Sequence, residues 1–124
     1  MKMLSLLAVA GLSFTSATAI AQSVESGYPR GSLAVAAIEQ GDWTRAEALL
    51  NGSQVDREDP AYLLNLGQVY MRTGRTAEAL AAWRQARDSS RHAEVETLNG
   101  RLASTRDLAR EALARYATAQ LGTR

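Results

Sequence analysis

The sequence predicts an all-α fold: two antiparallel helical hairpins, then a small β-hairpin and a C-terminal capping helix. Three observations carry this reading. Four amphipathic segments between residues 32 and 88 each have helix start and stop signals. Gly41 and Gly74, one inside each hairpin turn, stand 33 residues apart, close to the ~34-residue period of stacked helix-turn-helix units. Outside the first segment the chain is dominated by Ala, Leu, Arg and Glu, which favour helix.

The chain begins with an address rather than a structural element. Residues 1–21, MKMLSLLAVAGLSFTSATAIA, combine a positive Lys2, an apolar Leu4–Leu12 stretch and a small-residue end at Ala19-Ile20-Ala21. That is the pattern of a secretory signal peptide cleaved after Ala21. The apolar stretch is about half of the ~20 residues a membrane span needs, so no span is expected after leader removal. The expected destination is the periplasm of a Gram-negative cell. Residues 22–31, with Ser, Gly and Pro29, read as a flexible lead-in.

The repeat region is expected over 32–91. A first helix, about Ser32–Gln40, places Leu33, Ala36, Ala37 and Gln40 at helical spacing before Gly41 stops it. Asp42 can cap a second, about Trp43–Leu50, with Trp43, Ala46, Leu49 and Leu50 on one face. The third starts at Asp59-Pro60, an N-cap followed by proline at the first helical position. Leu63, Leu66, Gly67 and Tyr70 form its stripe, and Gly74 ends it. The fourth begins after Thr76, runs to about Asp88 and buries Ala79, Leu80, Trp83 and Ala86. Short Gly-containing turns make each helix pair antiparallel.

Residues 92–124 depart from this pattern. Val95–Ser104 has two short alternating runs around Asn99-Gly100, a strong local hairpin signal; a degenerate third repeat is the alternative. Ser104-Thr105-Arg106-Asp107 has capping-box spacing and opens a helix through Leu108, Ala112, Leu113, Tyr116 and Ala119 to about Gln120. Two hairpins alone are marginal for a stacked array, so this helix is expected to cap it.

The segment Leu63-Leu64-Asn65-Leu66-Gly67-Gln68-Val69-Tyr70 through Gly74, Ala79, Trp83 and Ala86 resembles the tetratricopeptide repeat (TPR) family. Gly41, Trp43, Ala46 and Leu50 match it more weakly over about Tyr28–Val55. Thr76 replaces the family's usual aromatic, and Arg91 stands where a repeat-ending proline is often found. The resemblance implies Gly67, Ala79 and Ala86 as small packing positions and Leu66, Tyr70 and Trp83 as large ones. It also implies a concave groove for a protein or peptide partner, lined by Leu64, Asn65, Gln68, Met71 and Arg72, with Ser32, Val35, Ile38 and Glu39 from the first helix. Asn65 and Gln68 could bond a peptide backbone, and Arg72 a carboxylate. Gly31 and Val35 occupy two places where a carboxylate clamp carries polar or basic side chains, which disfavours that variety.

Signals for chemistry are weak. Without Cys the chain has no disulfide, thiol nucleophile or lipid-modified leader cysteine. With one His, a metal centre or catalytic triad is disfavoured, so no cofactor is expected; His92 reads as a solvated loop residue. Asp56-Arg57-Glu58-Asp59 precedes Pro60, where negative charge favours a helix N-terminus. Loss of Lys2 with the leader leaves thirteen Arg against thirteen acids, and that balance gives no steering toward nucleic acid. The expected function is a non-catalytic, exported interaction scaffold. The alternative is a structural subunit that self-associates through the array end.

Overall fold

The computed structural model describes residues 33–97 and 99–123; the leader, the 22–31 lead-in, Ser32 and Leu98 lie outside the described residues. The elements run α1 (Val35–Glu39), α2 (Trp43–Asn51), α3 (Pro60–Arg72), α4 (Thr76–Asp88), β1 (Glu94–Glu96), β2 (Leu102–Ser104) and α5 (Thr105–Leu121).

The two hairpin turns are built alike. Gly41 and Gly74 both adopt positive φ, 70° and 81°, which a side chain would resist. In the first turn Gly41 N–H donates to Ile38 O and Asp42 N–H to Ala37 O; in the second Gly74 N–H donates to Met71 O and Arg75 N–H to Tyr70 O. Both are the paired bonds of a Schellman motif, which satisfies the last carbonyls of one helix while reversing the chain. Asp42 then caps α2 by accepting from Arg45 N–H at 3.0 Å.

α1 is shorter than the expected Ser32–Gln40. Ala34 sits at φ 56°, a left-handed conformation that a non-glycine residue adopts at a cost and that starts the helix at Val35. Ala36 and Gln40, expected on the packed face, are exposed, while Ala37 and Ile38 are buried. Leu49 of α2 also turns outward.

α3 is the central element. Asp59 caps it by accepting from Ala61 N–H at 2.8 Å, and Pro60 takes the first helical position, where its missing N–H removes no helical bond. Nine of its thirteen residues are buried, far more than one amphipathic stripe would cover, because neighbours cover several faces. α2 packs on one flank, α4 runs antiparallel along another, and α5 reaches both α3 and α4. α3 and α4 approach closely at Gly67: a Cβ there would lie within 2.5 Å of Trp83 Cδ1. The indole is locked over that glycine by its Nε1–H, which donates to Leu64 O at 3.2 Å.

β1 and β2 form an antiparallel pair with Val95 opposite Ala103. Thr97 N–H donates to Arg101 O at 2.8 Å and Gly100 N–H to Thr97 O at 2.8 Å, so three residues span the turn, with Gly100 at φ 76°. Asn99-Gly100 is therefore not the central pair of a two-residue type I′ turn, which needs positive φ at both positions. Ser104 caps α5 by accepting from Arg106 N–H at 3.2 Å. Asp107, expected to complete a capping box, pairs with Arg110 at 3.2 Å.

Candidate functional site

The concave side expected to bind a partner is centred on α3. The structure separates the residues assigned to it. Glu39 and Arg72 are exposed, and Met71 and Val35 are half-buried. Leu64, Asn65 and Gln68, expected to face an open groove, are only 4%, 0% and 3% exposed, and Ile38 is buried with them. Part of the reason is the chain leading into α1: Asn65 Nδ2 donates to Leu33 O at 2.8 Å, a bond spanning 32 residues. That hydrogen bond makes burial of one side of the amide tolerable.

The other side is unsatisfied. Asn65 Oδ1 and Gln68 Oε1 are both buried without a hydrogen-bond partner. They project from positions i and i+3 of α3, one helical turn apart and on the same face. Buried carbonyl oxygens left this way cost stability, and both can only accept, so what would satisfy them is a pair of N–H or O–H donors.

Arg72 and Trp43 flank the C-terminal end of this strip. The guanidinium lies 5.6 Å from the centre of the Trp43 ring, a cation–π distance that ties α3 to the start of α2. Nearby, Arg75 stacks over Tyr70 at 4.3 Å and bonds Glu47 at 2.6 Å. The Glu47 carboxylate holds the Arg75 guanidinium still more firmly protonated than usual. These aromatics act as packing residues, as their spacing implied.

A second concavity, about 280 Å³, lies where the loop before α3 meets the loop after α4, lined by Glu58, Gln85, Asp88, Ser89, Ser90 and Arg91. Its charges are paired internally. Arg91 donates to Asp56 at 2.8 Å and reaches Glu58 at 3.4 Å, and Arg87 bonds Asp88 at 2.7 Å. The Arg91 hydrogen bond, with one from Glu58 N–H, holds the Asp56 carboxyl below the usual carboxylate range. Sequence reasoning assigned the acidic run to the α3 N-terminus, which holds for Asp59, but missed Asp56 as the anchor between the two loops. Arg91 in the place of a repeat-ending proline was the available signal. His92 is exposed, its Nδ1 3.1 Å from the Arg106 guanidinium; because arginine only donates, Nδ1 accepts. No group of three or more His, Cys, Asp or Glu among the described residues could hold a metal ion.

A tetratricopeptide repeat family model matches residues 37–102, a little over half of the 124-residue chain. The chain belongs to the tetratricopeptide repeat family. Neither the comparison with curated proteins nor that with solved structures gave a match. The matched span takes in the buried part of α1 and all of α2–α4, and ends at Leu102 in β2, so α5 lies beyond the TPR match. Repeats of this family generally serve as non-enzymatic scaffolds for protein partners. Among the described residues no helix of this TPR protein is long and apolar enough to cross a membrane.

Proposed function

We propose that this chain is a non-catalytic TPR scaffold, exported to the periplasm, that holds a peptide or protein segment against α3. The observation that supports the reading is the pair of buried, unpartnered acceptors, Asn65 Oδ1 and Gln68 Oε1, one turn apart on the helix that we take as the wall of the groove. An extended segment presents N–H donors along its backbone, which two helical amide oxygens can meet in succession. Arg72 at the exposed end of the strip supplies a charge for an acidic group on the partner. Export rests on residues 1–21, which have the charged start, apolar stretch and Ala19-Ile20-Ala21 end of a cleaved leader.

Co-purification from periplasmic extract tests the binding reading, comparing the native chain with Gln68→Met and Arg72→Ala. Both substitutions should deplete the same partner; an unchanged partner set for both removes α3 from the binding surface. The intact mass of the exported protein tests cleavage after Ala21.

Self-association through the array end is the second reading. It draws on α5, whose packed residues Leu108, Ala109 and Ala112 all lie in its first half, while Leu121 at the far end is 72% exposed.

A further inference from the structure

The sequence contains two Asn-Gly dipeptides, Asn51-Gly52 and Asn99-Gly100, and both asparagines are exposed. In an unstructured chain they would be chemically equivalent, because glycine leaves the following backbone nitrogen unhindered for attack on the asparagine side chain. The fold makes them different.

Asn51 is the last residue of α2. Its helical ψ turns the Gly52 N–H along the helix axis, where it donates to Ala48 O at 3.1 Å, away from the Asn51 side chain. Ser53 N–H donates to Leu50 O at 3.2 Å, and Arg57 donates to Asn51 O at 2.8 Å. Leu50 and Val55 anchor this stretch in the core on both sides. Bringing Gly52 N to Asn51 Cγ means unwinding the end of α2 and releasing the Arg57 bond.

Asn99 lies in the turn of the β-hairpin, and one bond, Gly100 N–H to Thr97 O, holds its nucleophile. The side-chain carbonyl has donors beside it as well: the Thr97 hydroxyl, whose one proton is shared between Asn99 Oδ1 and Arg101 O, and Arg101 N–H, which bonds Thr97 Oγ1 at 3.1 Å and reaches Asn99 Oδ1 at 3.4 Å. Donors aimed at that oxygen stabilise the negative charge it gains when its carbon is attacked.

We infer that Asn99-Gly100 is a self-modification site of the folded chain, where asparagine converts to aspartate and isoaspartate, and that Asn51-Gly52 is protected. The Gly100 nitrogen attacks Asn99 Cγ, forming a C–N bond and giving up its proton to solvent. The side-chain nitrogen leaves as ammonia, and a five-membered cyclic imide remains. Water then opens the imide at either carbonyl, so the net change is one amide and one water converted to one carboxylic acid and one ammonia. Opening at the α-carbonyl gives isoaspartate, which adds a methylene to the backbone inside the three-residue turn. That shifts Arg101 relative to Thr97 and draws its guanidinium from Glu111, which it now reaches at 3.0 Å.

The test is incubation of the full chain, folded and in urea, at mildly alkaline pH, with peptide mapping that separates aspartate from isoaspartate. In the folded chain Asn99 should convert roughly tenfold or more faster than Asn51, since a hairpin turn opens more readily than an anchored helix end. In urea the two rates should converge. Equal rates in the folded chain, or faster conversion at Asn51, would overturn the inference.

Discussion

Replacing Gln68 by Met isolates the feature on which the binding proposal rests. Gln68 Oε1 is buried without a partner, and an unsatisfied buried acceptor of this kind costs about 1–3 kcal/mol. Met has nearly the same length and an adaptable, unbranched shape, so it fills the same space with no carbonyl to desolvate. The expected change is therefore a gain of about 1 kcal/mol in stability, the lower end of that range, because repacking is never perfect. For a domain of this size that is a rise in melting temperature of roughly 4–8 °C. Urea unfolding should show a higher midpoint at unchanged slope, the mark of altered stability without altered compactness. The same variant should bind its partner less well, so stability and binding move in opposite directions. A variant no more stable than the native chain would refute the reasoning: Oε1 would then already be satisfied, by a buried water for instance, and would not be a free acceptor for a partner.

Gly67→Ala drives a methyl into the Trp83 indole and should cost about 1–3 kcal/mol as overpacking, read as a lower urea midpoint. Ser104→Ala removes the side chain that accepts from Arg106 N–H and should cost about 1 kcal/mol; amide exchange should locate the loss in the first turn of α5. Arg91→Ala should lower stability at neutral pH. Asp56 has its folded-state pKa depressed by Arg91, so its contribution is present above the unfolded pKa and fades as pH falls through the folded value. The gap between native chain and variant should therefore close as pH drops below about 4. Light scattering on the chain lacking residues 1–21 should show a monomer under the scaffold reading; a dimer or larger assembly that Leu121→Ser dissolves would favour self-association.

Local chemistry was the most legible part of the sequence. Asp42, Asp59 and Ser104 all cap the helices they precede, and Gly41 and Gly74 terminate helices through the same pair of hydrogen bonds. These features depend on neighbours within a few residues, so one sequence contains all the information. Gly67 and Trp83 were legible through the repeat spacing, although the closeness of their contact was not. The start of α1 was not legible, because nothing in Leu33-Ala34 announces a left-handed alanine. Nor was the burial of the strip: Leu64, Asn65 and Gln68 have groove spacing, but their exposure depends on what folds over them from 32 residues away. Arg91 reaching Asp56 across 35 positions is of the same kind.

The buried strip also changes what binding must involve. An open groove would let a partner displace only water from Asn65 and Gln68. In this chain the Asn65 amide already holds Leu33 O, and the next residue, Ala34, adopts a conformation that alanine resists. A partner that satisfies Oδ1 and Oε1 must therefore approach past the lead into α1 or share that edge of α3 with it. Only the first route couples binding to the conformation around Ala34, so Ala34→Gly separates the two. Glycine adopts φ 56° without the steric cost, which steadies the observed arrangement. If a partner must displace that segment, Ala34→Gly weakens binding while the fold becomes no less stable. If the partner only shares the edge, affinity stays constant, and the two unpartnered oxygens are reached without moving α1.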